Sequence, residues 1–198
     1  QAFDLMRSDK VNVLKSLSAE QQKDVRETII RMVLCTDMSQ HAKFVGRFNS
    51  RIETDTDFSS KEDIRLALQI AMKIADVSNP SRPLNLYLKW AYRLEQEFYA
   101  QGDKERELSM SLSPFMDRQK PQMNNLQHAF ITYIVLPMFE SMYKLLPRLK
   151  KHTRDLIDNN KAYWEDHEEI NIDDIQDDDS EEDFTQVTTR SLDKSRSS

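Results

Sequence analysis

Ile64-Arg-Leu-Ala-Leu-Gln-Ile-Ala-Met-Lys-Ile-Ala-Asp76 runs directly into Val77-Ser-Asn-Pro80-Ser-Arg-Pro83. The first run spreads Leu66, Ala67, Leu68, Ile70, Ala71, Met72 and Ile74 over nearly every side of a helix. That pattern belongs to a helix inside a bundle, not on its surface. Ser59-Ser-Lys-Glu62, just ahead, reads as a capping box, and the two prolines force a turn at the far end. Pro83 then opens a second helix with Leu84, Tyr87, Leu88, Ala91, Leu94 and Phe98 on one face, and Gly102 reads as its C-terminal cap.

Further out, Ser18-Ala-Glu-Gln21 is another capping box, followed by Val25, Ile29, Met32 and Val33 at helical spacing. A loop through Ser113-Pro114 precedes a long helix from about 122 to 146, kinked by Pro137. A last helix covers about 150 to 164, and no strand or internal repeat is read. Composition agrees with an all-α chain. Two glycines in 198 residues fall far below the usual share of about 7%, which argues against hairpin-built sandwiches and barrels. Gly46 and Gly102 stand alone, so no Rossmann or P-loop phosphate cradle exists. Cys35 is a single cysteine, which rules out an internal disulfide and fits a reducing compartment. No apolar run approaches the roughly 18 residues that span a bilayer, and the first residues do not read as a signal peptide. A soluble, cytoplasmic protein is expected.

The net charge of -6 is unevenly spread. Residues 165–198 hold 13 acidic and three basic residues, a net −10, whereas residues 1–164 are mildly basic at +4. Asp177-Asp-Asp-Ser180-Glu-Glu-Asp183 repels itself and buries little, so the tail is expected to be disordered. It serves either as a solubilising tail or as a regulatory one with Ser180 as an acidic phosphosite.

Three places could carry chemistry. Asp76 ends an apolar helix, where an unpaired carboxylate wants a helix N-terminus to cap, an arginine or a metal. Asp37 and His41, four apart in Thr36-Asp-Met-Ser-Gln-His41, could share a helix face as metal ligands, or His41 could be a satisfied helix-terminal side chain. Gln127-His-Ala-Phe130, with Ile134 one turn on, puts an amide and a ring on one face and reads as core packing with one polar residue.

Taken together, L-C-T-D-M-S-Q-H (34–41), I-A-D-V-S-N-P-S-R-P (74–83), W-A-Y-R-L-E-Q-E-F-Y-A-Q-G-D-K-E-R-E (90–107), S-P-F-M-D-R (113–118) and L-Q-H-A-F-I-T-Y-I-V-L-P-M-F-E (126–140) resemble the C-terminal half of the class I cyclic-nucleotide phosphodiesterase catalytic domain. The resemblance covers residues 1–164, with 165–198 as the acidic tail. It implies an all-α fold and hydrolysis of cAMP, or less favourably cGMP, to the 5′-monophosphate by a hydroxide activated between two metals, zinc with magnesium or manganese. By the same resemblance Asp76 is a metal ligand, and Thr36 and Asp37 orient metal-bound water. Gln127 bonds the purine edge, between Phe130 and Val77 as a clamp. Asn79 and Tyr87 stand near the purine, and Met38, Trp90, Leu94, Phe98, Phe115 and Ile134 line the pocket. Asn79 after Val-Ser resembles the cAMP-preferring members.

The partner implied is the cyclic nucleotide, with no nucleic acid and no membrane span. A homodimer and a regulatory partner for the tail are compatible with it. The family also uses H-N-x-x-H-A and H-D-x-x-H segments, for the general acid and further metal ligands. His41, His128, His152 and His167 fall in neither. The chain is therefore expected to be the back half of a catalytic domain, inactive alone, with an apolar face left uncovered. The alternative is a non-catalytic helical interaction module derived from a phosphodiesterase.

Overall fold

The computed structural model describes residues 1–55 and 57–170; the acidic run and Ser180 lie outside the described residues. Among the described residues there are eight α-helices and no strand: α1 (Ala2–Leu5), α2 (Ala19–Leu34), α3 (His41–Thr54), α4 (Lys61–Asp76), α5 (Leu84–Glu107), α6 (Met123–Phe130), α7 (Leu136–Leu145) and α8 (Pro147–Asp166). The all-α expectation holds.

Local chemistry explains where these helices start and stop. At α2 the capping box is complete: Ser18 Oγ accepts the Gln21 amide at 3.2 Å, and Gln21 Oε1 accepts the Ser18 amide at 2.9 Å. At α4 the cap is Ser60 instead of Ser59. Ser60 Oγ accepts the Asp63 amide at 3.1 Å and donates to Asp63 Oδ2 at 2.7 Å. Arg51 explains the one-residue shift, because its fork grips Asp63 at 2.8 and 3.0 Å while Glu62 turns to Arg65.

Gly102 is not a helix cap. α5 continues past it to Glu107, and a Cβ at 102 would stand 1.8 Å from the Met116 carbonyl oxygen. The glycine therefore lets the 108–122 loop lie against the helix. Glu105 holds that loop by accepting from both the Ser113 amide and hydroxyl at 2.7 Å, and the Arg106–Asp117 and Arg118–Asp103 pairs add to it.

The helix expected to kink at Pro137 instead widens ahead of it, into a π turn over Ile131–Val135 between α6 and α7. Proline lacks an amide hydrogen and crowds the carbonyl four residues back, so the distortion falls on the preceding turn. α8 starts earlier than Lys150 because Pro147 occupies its first turn.

The core is built by Phe48 and Ile52 of α3, Leu66, Ile70 and Ile74 of α4, Tyr87, Leu88 and Ala91 of α5, Ile131 and Val135 of the π turn, Met138, Phe139 and Met142 of α7, and Ile157 and Trp164 of α8. α2 contributes no buried residue. The expectation that α4 is surrounded by apolar neighbours is corrected here: Ile64 and Leu68 are 47% and 39% exposed, whereas Arg65, Gln69 and Lys73 are buried. The buried polar side chains face α2, which offers them carboxylates and carbonyl oxygens. Ile64, Leu68, Ala71 and Ala75 form an exposed stripe ending beside Asp76.

Replacing Gly102 by Ala should destabilise the fold by about 1–3 kcal/mol, the usual range for overpacking. Urea unfolding followed by circular dichroism would detect it. An unchanged midpoint would mean that the loop does not press on α5.

Candidate nucleotide and metal site

The sharp turn after Asp76 is a short 3₁₀ segment, Asn79–Ser81, which carries the chain from α4 into α5. Its position is set from far along the chain: Asn160 of α8, almost fully buried, donates through Nδ2 to the carbonyl oxygens of Pro80 at 2.8 Å and Arg82 at 2.7 Å. With the turn held this way, a cavity of about 500 Å³ opens between the end of α4, the turn, α5 and the end of α6. Its walls include Asp76, Val77, Asn79, Trp90, Leu94 and Phe130, six of the residues singled out in the sequence. Ala75, Ser78, Arg82, Arg93 and Glu97 complete the lining. Trp90 presents 54% of its surface, and the Arg93 guanidinium lies 5.3 Å above its ring. Arg93 and Glu97 follow Trp90 and Leu94 by three residues each, so helical spacing was the available signal for both.

Gln127 lies behind this wall, 1% exposed. Its Oε1 accepts from the Tyr87 hydroxyl at 2.8 Å, and Tyr87 in turn accepts from Trp164 Nε1 at 2.6 Å. Burial pushes the Tyr87 phenol well above its ordinary range, with the Trp164 hydrogen bond opposing, so the hydroxyl stays a donor toward the amide. The Trp164–Tyr87–Gln127 chain therefore fixes which end of the amide is occupied. Gln127 Nε2 has the Met123 sulfur at 3.5 Å as its neighbour.

The other expected wall residues are placed elsewhere. Phe98 is half-buried on α5, and Ile134 packs on the core from the π turn. Phe115 sits at φ 65° in the loop after α5, and Met38 is exposed at the start of the 3₁₀ turn Met38–Gln40. Asp37 and His41 do not share a helix, contrary to the spacing-based expectation. Asp37 precedes that 3₁₀ turn and caps it, Oδ1 accepting the Ser39 amide at 2.8 Å, whereas His41 begins α3. Thr36 donates its hydroxyl to the Val33 carbonyl at 2.8 Å. Asp37 is held below the usual carboxylate range by its Ser39 bonds, with a smaller contribution from Lys73.

Asp76 ends α4 exposed, facing the cavity. Among the described residues, no group of three His, Cys, Asp or Glu is placed to hold a metal ion. Zinc takes about four ligands, so these residues alone do not fit the metal pair implied by the resemblance.

A family model described as 3′5′-cyclic nucleotide phosphodiesterase matches residues 1–156. The chain belongs to this family. Among curated relatives, the rat cGMP-inhibited 3′,5′-cyclic phosphodiesterase 3A is 38% identical over 138 residues, covering 69% of this chain and 12% of that protein. The mouse 3′,5′-cyclic-AMP phosphodiesterase 4C is 32% identical over 170 residues, covering 82% of this chain and 25% of that one. The human high affinity cGMP-specific 3′,5′-cyclic phosphodiesterase 9A is 31% identical, covering 76% and 25%. A solved structure of LmjPDEB1 in complex with IBMX superposes with a TM-score of 0.77 at 26% identity, over 83% of this chain and 49% of that one. This phosphodiesterase-family chain thus spans a quarter or less of these curated relatives and about half of the solved chain. Among the described residues no helix is long and apolar enough to cross a membrane.

Two outcomes test the site's construction. Asn160→Ala leaves two carbonyl oxygens without their donor and should cost about 2 kcal/mol, read by urea unfolding. His41 is held low by burial first and by Lys73 second, and its Nδ1 is buried with no partner. A histidine that stays neutral when folded takes up a proton more readily when unfolded. Stability should therefore fall as pH drops below about 6.5, and His41→Gln should flatten that part of the profile. Identical pH profiles for the two proteins would contradict this.

Proposed function

We propose that this chain supplies the base-binding wall and one metal-ligating carboxylate of a catalytic unit that hydrolyses 3′,5′-cyclic nucleotides to 5′-monophosphates. The observation that carries the reading is the cavity in which Asp76 shares a wall with Val77, Asn79, Trp90, Leu94 and Phe130. A carboxylate beside an apolar, aromatic-lined slot suits a ligand with a flat base at one end and a charged phosphodiester at the other. Phe130 and Val77 clamp the base, and Gln127, its Oε1 held by the Tyr87 hydroxyl, turns its amide Nε2 donor to the base's polar edge. Thr36 and Asp37 order water near Asp76. Zinc with magnesium or manganese would supply the activated hydroxide once ligands beyond Asp76 are present.

The proposed substrate is cAMP ahead of cGMP, on the Val77-Ser-Asn79 pattern; the relatives above include proteins named for either nucleotide. A second reading has one observation in its favour, the lack of a three-residue metal group among the described residues. On that reading the chain is a non-catalytic helical module acting by interaction. A coding sequence carrying H-N-x-x-H and H-D-x-x-H upstream of Gln1 would decide for the enzyme.

For the 198-residue chain alone, cAMP hydrolysis in zinc and magnesium should be undetectable, and measurable metal-dependent turnover would contradict this account. Binding is the positive test. cAMP should quench the exposed Trp90, and Phe130→Ala should weaken that binding by about tenfold, the loss of one aromatic stacking partner. A response unchanged in Phe130→Ala would overturn the assignment of the clamp.

A further inference from the structure

We propose that Lys73 is a positioning residue: its buried ammonium, the last contact of a polar seam along α4, sets the Thr36–Asp37 turn beside Asp76. The proposal rests on the reading of Asp76 and this turn as parts of one site.

Lys73 is 2% exposed, and its Nζ donates to the Cys35 carbonyl oxygen at 2.9 Å. A lysine this deep has given up most of its hydration, which is unfavourable unless hydrogen-bond acceptors and dipoles replace the lost water. Its partner is the residue that ends α2, where helix carbonyls lack amide donors and the helix dipole favours a cation. The next two residues are Thr36 and Asp37. Three residues past Lys73 on α4 is Asp76. Burial pushes the Cys35 thiol up, Lys73 opposes this and Asp76 adds to it, so both charges act on the residue preceding the turn. The Lys73 charge also reaches Asp37 and His41, on the far side of the turn.

Lys73 does not act alone. Arg65 pairs with Asp24 and with Glu62, the latter at 2.9 Å, and Gln69 Nε2 donates to the Arg31 carbonyl at 3.2 Å. Arg65, Gln69 and Lys73 lie four residues apart on one face of α4, and their α2 partners advance from Asp24 to Arg31 to Cys35. A slip of α2 along α4 would break all three contacts at once. Buried polar groups are best attested in this role of specifying register. α2 buries its apolar Val25, Ile29 and Met32 only partly, so the directional contacts of the seam fix its height, and Lys73 fixes the end that carries the turn.

The test uses the full chain and hydrogen exchange read by NMR. Lys73→Met keeps the length and removes the charge. The amides of Thr36, Ser39 and Gln40 are expected to exchange about tenfold faster, the loss of one charge-assisted hydrogen bond, while those of α5 and α8 keep their rates. The His41 ring should titrate at higher pH, because a nearby positive charge is gone. Lys73→Arg should restore both behaviours. Unchanged exchange at 36–40, equal acceleration in every helix, or unprotected amides there in the unmodified chain would each overturn the proposal. If Lys73→Met fails to fold, reductive methylation of the unmodified chain decides. Lys73 should react at least about tenfold more slowly than exposed Lys61 and Lys104, and equal rates would overturn the proposal. None of these readouts needs nucleotide or turnover, so a failure here is distinct from failure of the catalytic reading.

Discussion

Arg65, Gln69 and Lys73 invert the usual arrangement of a core helix. They are buried toward α2 while Ile64 and Leu68 of the same helix are exposed. α2 buries its apolar Val25, Ile29 and Met32 only partly, and its register against α4 is set by carboxylates and carbonyl oxygens meeting those three donors. Hydrophobic burial tolerates sliding, but hydrogen bonds to specific oxygens do not. The Thr36–Asp37 turn and Asp76 inherit this constraint, because α2 delivers the one and α4 the other.

A second long-range device builds the opposite wall. Asn160 donates to two carbonyl oxygens of the Pro80–Arg82 turn, and Trp164 donates to Tyr87, which donates to Gln127. α8 therefore serves the cavity without lining it: one residue holds the turn that carries Asn79, and another orients the Gln127 amide behind the cavity wall. The apolar core beneath, from Ile70 through Leu88 to Val135 and Ile157, gives both devices a rigid base.

Much of this was legible in the sequence where the cause is local. Ser18 and Gln21 form the box that their spacing promises, and Pro80 and Pro83 turn the chain where prolines must. The family motifs marked Asp76, Val77, Asn79, Trp90, Leu94 and Phe130, which line one cavity. Legibility failed where the cause is a distant partner. Nothing near Gly102 reveals that the Met116 carbonyl will press on it, and Ser59 and Ser60 are equivalent caps until Arg51 grips Asp63. The apolar periodicity of α4 concealed its polar seam, since burial of Lys73 becomes tolerable only once the Cys35 carbonyl is seen beside it.

The central claim is that the wall formed by Val77 and Phe130 receives a purine whose edge is addressed by Gln127. Intermolecular nuclear Overhauser effects between cAMP and the full chain test it most directly. The account predicts contacts from the adenine H2 and H8 protons to the Val77 methyls and the Phe130 ring, with the Gln127 side-chain amide shifting on binding. Base contacts confined to the outer face of Trp90, with Gln127 unmoved, would contradict it.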